Sequence, residues 1–212
     1  MRLILLYIIS LILLNSSYAE VPDSKVINKF KIYLKEIKSL AVDFTQTDSK
    51  GYVTTGKLLI NKPYKFRCNY YPPFPLVIIG NKNYVSVYDY DMKNLSRMKS
   101  TDNIFNFLLT DSDFDKHFQI ESAQENANYI IVKFYHDVSE RSSQITFDKT
   151  TNQIHSIEVF EDNNIINIVF DKVLKVQRFN EDLFHIRNPD VFGPPVRLNK
   201  NQIEQMLLIS SY

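Results

Sequence analysis

The sequence predicts an α+β protein built on one wide antiparallel sheet. Short apolar runs with period-two alternation follow one another between polar turns, which is the pattern of neighbouring antiparallel strands. Helical spacing of apolar residues occurs mainly at the start of the chain and in its middle. A sheet with so many strands is expected to curl, and the two groups of helices beside it complete the α+β class.

The first nineteen residues have the order of a secretory signal peptide. Met1-Arg2 provides a positive start, residues 3–14 are almost entirely apolar, and Ser17-Tyr18-Ala19 is a small-x-small cleavage pattern. The apolar run is too short to span a membrane comfortably. We therefore expect residues 1–19 to be removed and residues 20–212 to form a single domain. Glu20 follows the cleavage site where a bacterial lipoprotein has cysteine, so a lipid anchor of that kind is not expected.

The first elements of the mature chain are a helix and a hairpin. Apolar residues recur at helical spacing over Asp23–Leu40, with lysines mostly on the other side. Residues 42–46 then alternate as a strand, and Ser49-Lys50-Gly51 turns the chain. Tyr52–Ile60 is predicted to return as the second strand of this hairpin.

The central stretch of the chain, residues 56–80, predicts three short strands and two sharp corners. The first strand ends at Asn61-Lys62-Pro63, and Phe66, Cys68 and Tyr70 share one face of the second strand. Three prolines then interrupt any regular ladder before the third apolar run, Leu76–Ile79. A lone cysteine cannot form an internal disulfide, so Cys68 is interpreted as a small buried apolar group.

The segment Thr101–Leu109 predicts a short and unusually apolar helix, with a second one at Ser112–His117. Such a helix needs an apolar surface to cover. It either fills an ordinary core or forms a lid over a ligand cavity, and the residues alone leave both open. Short strands follow from His117 onwards, and Leu183–Arg187 is predicted to be the last clear strand. Residues 199–209 have the pattern of a short amphipathic helix.

Composition argues against several classes of function. The whole chain carries 25 basic and 24 acidic residues, and the loss of Arg2 would bring the net charge to zero, so neither nucleic acid nor a polybasic membrane contact is predicted. The four histidines are scattered and the cysteine is single, which disfavours a metal site. Four glycines cannot supply a phosphate loop, and no Gly-x-Ser-x-Gly elbow occurs. The sequence therefore predicts no enzyme, catalytic residue or cofactor.

A series of motifs in a fixed order resembles one known family. Lys62-Pro63 ends a strand, Phe66-Arg67 and Pro72-Pro73 follow, and the next strand closes with Gly80-Asn81-Lys82. The other matching motifs are Asp43-Phe44-Thr45-Gln46, Tyr88-Asp89, Leu108-Leu109, Leu183-Phe184 and Pro189. Together they resemble the periplasmic outer-membrane lipoprotein carrier family, LolA, over most of the chain from Ile27 to Pro189.

The resemblance implies a fold, a location and partners. The fold is an incomplete, half-open antiparallel β-barrel whose concave apolar face is covered by helices. The function is that of a soluble, monomeric carrier in the periplasm. It would take acylated lipoproteins from an inner-membrane lipoprotein-releasing transporter and deliver them to an outer-membrane acceptor. The alternatives are a lipid-sensing periplasmic regulatory module and a secreted lipid hydrolase.

The resemblance also implies site residues. The cavity residues, chosen by strand parity, are Leu58, Ile60, Phe66, Tyr70, Val77, Ile79, Val85, Val87, Phe134 and Phe147. The lid residues are Ile104, Phe105, Phe107, Leu108 and Leu109. Family members often have arginine at the position of Lys62, proposed to hold the lid through backbone carbonyls. Lysine offers three donors on a flexible stem where arginine offers five in a planar fork, and Lys62 is predicted to be the latch.

Overall fold

The computed structural model describes residues 23–100, 107–109, 114–198 and 201–202. Its helices are α1 (Ser24–Glu36), α2 (Phe114–His117) and α3 (Pro189–Phe192), with a 3-10 turn at Glu181–Phe184. The strands are β1 (Ser39–Thr47), β2 (Val53–Asn61), β3 (Lys65–Tyr70), β4 (Leu76–Gly80), β5 (Tyr84–Asp89), β6 (Asn94–Lys99), β7 (Phe118–Glu125), β8 (Tyr129–His136), β9 (Arg141–Asp148), β10 (Gln153–Glu161) and β11 (Asn164–Lys175).

All of these strands form one antiparallel sheet in the order β6-β5-β4-β3-β2-β1-β11-β10-β9-β8-β7. Strands that are consecutive in the chain lie side by side, except β6 and β7. The pairing of β1 with β11 joins the two halves of the sheet. The strands β6 and β7 are the two edges, and the sheet is not closed. The predicted half-open antiparallel barrel of the α+β class is confirmed.

Helix α1 packs on the concave face of the sheet, against β7 and β8. The Asp23 carboxylate caps its start by accepting from the Lys25 amide at 2.8 Å. Val26, Phe30 and Leu34 recur at helical spacing and are buried. The helix ends four residues before the predicted Leu40, because β1 begins at Ser39 and pairs with β2.

The two faces of the sheet bury separate apolar clusters. The larger cluster lies on the concave face beneath α1 and includes Phe30, Phe134 and Phe147. The smaller one, which we call the convex cluster, consists of Ala41, Leu59, Val77, Ile79, Tyr88, Phe179, Phe184 and Leu198. Residues that are adjacent in β2 and β4 therefore belong to opposite sides of the molecule.

The C-terminal segment 179–198 packs over the convex face. The strand predicted at Leu183–Arg187 is wrong, because a 3-10 turn stands at Glu181–Phe184 and an extended stretch without sheet pairing follows. Phe184 is 1% exposed in the convex cluster. The buried guanidinium of Arg67 donates to the carbonyls of Leu183 at 3.1 Å and Val196 at 2.8 Å, so it fixes this segment to the sheet. Burial lowers the pKa of Arg67.

Candidate functional site

The concave face divides into a packed half and a half with a cavity. In the packed half, the Phe30 ring lies 5.3 Å from that of Phe114 and 5.8 Å from that of Phe147. Phe134 is completely buried in the same aromatic cluster. The structure thus corrects the prediction for Phe134 and Phe147: α1 covers both, and neither lies on the wall of the apolar cavity. Phe147 instead borders a separate, more polar cavity at the end of α1.

The cavity lies over β1–β6 and against β10 and β11, and its volume is about 190 Å³. Its wall is almost entirely apolar. Six predicted residues lie on this wall, namely Leu58, Ile60, Phe66, Tyr70, Val85 and Val87. Strand parity in β2, β3 and β5 brings them together, because β2 to β5 pair in succession without a bulge.

Val77 and Ile79 are not on the cavity wall, which corrects the prediction for β4. Cys68 pairs with Ile78, and both line the cavity, so the flanking Val77 and Ile79 point to the convex cluster. The cavity-facing residues of β3 and β4 are all even-numbered, so the proline-containing loop between the two strands leaves the alternation in phase. Because Leu76–Ile79 is apolar throughout, the residues of β4 do not themselves show which of them face the cavity.

Several wall residues were not among the predicted cavity residues. They are Phe44, Cys68, Ile78, Met98, Ile157, Ile168 and Phe170. Leu108 and Leu109, which were predicted as lid residues, also lie on the wall. Phe44, Ile168 and Phe170 carry the period-two signal of their strands, which could have identified them. Predicting that β11 forms part of the wall would have required knowing that β1 pairs with β11, which is a contact between distant parts of the chain.

The few polar groups on the wall are neutral. The Tyr70 hydroxyl donates to the side-chain oxygen of Gln46 at 2.8 Å. Burial raises the pKa of the Cys68 thiol to about 12, and a hydrogen bond with Tyr70 opposes this shift only in part. Burial also raises the pKa of Tyr70. At neutral pH the wall therefore offers no charge from these groups, which suits an apolar ligand.

This environment of Cys68 predicts that the protein loses stability at alkaline pH. The unfolded thiol releases its proton near pH 9.0 and the folded one near 12, so the folded state binds the proton more tightly. The stabilisation is complete below about pH 9 and is lost as the pH rises towards 12. Urea unfolding between pH 8 and 11 should show a smaller decline for Cys68→Ala than for wild type. Parallel declines would contradict this assignment.

Part of the predicted lid lies at the edge of the cavity. Phe107, Leu108 and Leu109 are buried, and the last two lie on the cavity wall. The Leu109 carbonyl accepts from the Tyr64 amide at 2.9 Å, which ties this turn to the corner between β2 and β3. Ile104 and Phe105 lie outside the described residues.

The ammonium group of Lys62 contacts the end of α1. It donates to the Leu34 carbonyl at 2.6 Å, one of the last-turn carbonyls that have no partner within the helix. A cation at this position also complements the helix dipole. This bond joins Lys62 to α1. The predicted bond from Lys62 to the lid segment stays a prediction.

Comparison with known proteins identifies the family. Residues 35–187 match the family described as "Outer membrane lipoprotein carrier protein LolA". The chain belongs to the LolA family. An uncharacterised protein of Rickettsia prowazekii (strain Madrid E) is 51% identical over 212 residues, which is the full length of both chains. Two relatives named "Outer-membrane lipoprotein carrier protein" are more distant. The Chromobacterium violaceum protein is 30% identical, and the match covers 35% of this chain and 38% of that protein. The Aeromonas salmonicida protein is 29% identical, and the match covers 59% of this chain and 66% of that protein.

Among solved structures, the crystal structure of a LolA superfamily protein from Nitrosomonas europaea is similar to this chain. The TM-score is 0.48 at 7% sequence identity, and the match covers 78% of this chain and 98% of that one. Within the described residues, no helix is both long and apolar enough to cross a membrane. The same residues contain no cluster of histidine, cysteine and carboxylate groups that could hold a metal ion.

Proposed function

We propose that this LolA family member carries lipoproteins through the periplasm and shields their acyl chains in the cavity over β1–β6. It would receive them from an inner-membrane releasing transporter and pass them to an outer-membrane acceptor. The observation that carries the proposal is the apolar wall of the cavity, bounded on one side by Leu108 and Leu109. The signal peptide proposed for residues 1–19 would direct the chain to that compartment.

The energetics of lipid transfer call for such a cavity. Each methylene group removed from water contributes about 0.8 kcal/mol, so lipoprotein acyl chains are strongly driven out of water. A carrier without a nucleotide site must bind them through non-specific apolar contact and still release them. The described cavity of about 190 Å³ is close to the ~150 Å³ of an engineered cavity that binds benzene. Long acyl chains therefore require it to open, and displacement of Leu108 and Leu109 would enlarge it.

The hydrolase alternative gains no support from the cavity. A lipid hydrolase needs an activated nucleophile, and the raised pKa keeps Cys68 a thiol at neutral pH. None of the described wall residues is a serine, a histidine or a carboxylate. We therefore propose a carrier rather than an enzyme. A regulatory lipid sensor would share the cavity, and the outcome of a transfer assay separates it from a carrier.

Co-purification tests the proposed function. The protein, isolated from a periplasmic extract after osmotic shock, should begin at Glu20 and carry acylated lipoproteins that mass spectrometry identifies. The loaded protein should transfer them to acceptor membranes. A protein that binds free fatty acids but never lipoproteins would overturn the carrier assignment.

Lys62 is predicted to control opening of the cavity. A hydrogen bond from a charged donor contributes roughly 1.5–3 kcal/mol, enough to change the population of an open state about tenfold or more. Lys62→Leu should therefore alter the rate at which loaded protein releases cargo to membranes. Because this change also removes the bond to the Leu34 carbonyl, release rates are compared per folded molecule. Lys62→Arg, which keeps the donor, should preserve or slow release. Equal release rates for wild type and Lys62→Leu would remove this residue from the mechanism.

A further inference from the structure

The two edges of the open sheet differ in how they are protected. On β7, a bulge between Ile120 and Ser122 interrupts the ladder. Glu125 at its end forms ion pairs of 2.7 Å with Lys29 of α1 and with Lys149. Bulges and charged groups are common means of preventing a further strand from pairing with an edge. The β7 edge therefore carries the features of a blocked edge.

The β6 edge has no bulge, and its charged residues Arg97 and Lys99 both lie on one face of the strand. It pairs with β5 without a break, from the pair of Tyr84 with Lys99 to the pair of Asp89 with Asn94. Within the described residues no strand lies on its other side. Five of its six residues are exposed, and Leu95 is half-buried. A regular and accessible edge of this kind presents its backbone amides and carbonyls to an incoming strand.

The β6 edge is also continuous with the cavity. Met98 lies on the cavity wall and is 46% exposed, so at this residue the apolar wall reaches solvent on the edge strand itself. A lipoprotein has its acyl chains on its N-terminal cysteine, so the polypeptide begins where the lipid ends. With the acyl chains in the cavity, the first residues of the cargo would leave it beside β6.

We propose that β6 binds the peptide segment directly after the acylated cysteine of the cargo by taking it as an additional strand. This inference rests on the proposed function and names a second binding site for the same cargo. Main-chain hydrogen bonds supply affinity without requiring a particular sequence, which suits a carrier of many lipoproteins. Arg97 and Lys99 occupy the face of β6 opposite Met98, so acidic residues at alternate positions of the peptide favour pairing.

Synthetic lipopeptides test this site. The parent probe is a diacylglyceryl cysteine followed by eight residues that include aspartate at alternate positions. Two derivatives carry N-methyl groups on either the odd or the even residues. Successive amides of a strand point to opposite sides, so only one derivative removes the donors that face β6. That derivative should bind about tenfold more weakly, equivalent to ~1.4 kcal/mol, while the other matches the parent.

Amide hydrogen exchange gives a second readout. The parent lipopeptide should slow exchange in residues 94–99 but not in the β7 edge, and an acyl probe without a peptide should have no effect on β6. Equal affinities for all three lipopeptides, or equal weakening by both derivatives, would overturn the β6 site while lipid binding persists. Failure of the acyl probe itself to bind would instead overturn the proposed function, and this inference with it.

Discussion

Replacing Phe30 with alanine is expected to destabilise the protein by roughly 3–5 kcal/mol, the usual cost of removing a fully buried phenylalanine. The Phe30 ring is completely buried and packs against Phe114, Phe134 and Phe147. It joins α1 to the packed half of the sheet, so its loss leaves a cavity between two elements. Urea unfolding followed by circular dichroism measures the change.

The matched control lies on the same helix. Ile32 is 55% exposed, and Ile32→Ala should change the free energy of unfolding by no more than about 0.5 kcal/mol. Similar losses for the two variants would mean that α1 does not pack as described. Acyl-probe affinity per folded molecule should be unaffected in both, because neither residue lies on the cavity wall.

The second large effect is expected from filling the cavity. Val87→Phe extends a ring into the space over β5 and should weaken acyl-probe binding about tenfold or more, with little loss of stability, since cavity-filling changes are often tolerated. Val77→Phe makes the same substitution on the convex side, where Val77 is fully buried. Overpacking there should cost about 1–3 kcal/mol and leave binding per folded molecule unchanged.

This pair discriminates between the two faces of the sheet. Parity alone placed both valines in the cavity, and the structure separates them. Fluorescent fatty-acid titration and unfolding curves on the same samples provide both quantities. A loss of affinity in Val77→Phe, or none in Val87→Phe, would show that the ligand binds elsewhere.

The strands and their alternation were predictable because the physical signal is local. Phe66 and Tyr70 alternate with polar neighbours, whereas Leu58 and Ile60 flank the apolar Leu59. Pairing between β2 and β3 without a bulge keeps the four cavity residues in phase. The corner at Lys62-Pro63 was likewise evident from the residues. These features depend on short-range geometry, which can be predicted from the order of neighbouring residues.

What the sequence could not determine depends on contacts between distant segments. Val77 and Ile79 belong to a run that is apolar at every position, so only its pairing with β3 shows which residues face the cavity. Phe134 shows the same alternation as a cavity residue, and only the position of α1 decides that it is packed. The segment around Leu183 resembles a strand, yet it packs over the convex face because Arg67 and Phe184 hold it there.

Photo-crosslinking with an acyl chain that carries a diazirine near its end tests the central claim most directly. After irradiation and digestion, mass spectrometry should locate the label on cavity-wall residues of β2 to β5 such as Leu58, Ile78 and Val87. Excess unlabelled lipoprotein should compete the label away. Labelling of the convex cluster at Leu59 or Ile79, or labelling that lipoprotein does not reduce, would contradict the assignment of this cavity to lipoprotein acyl chains.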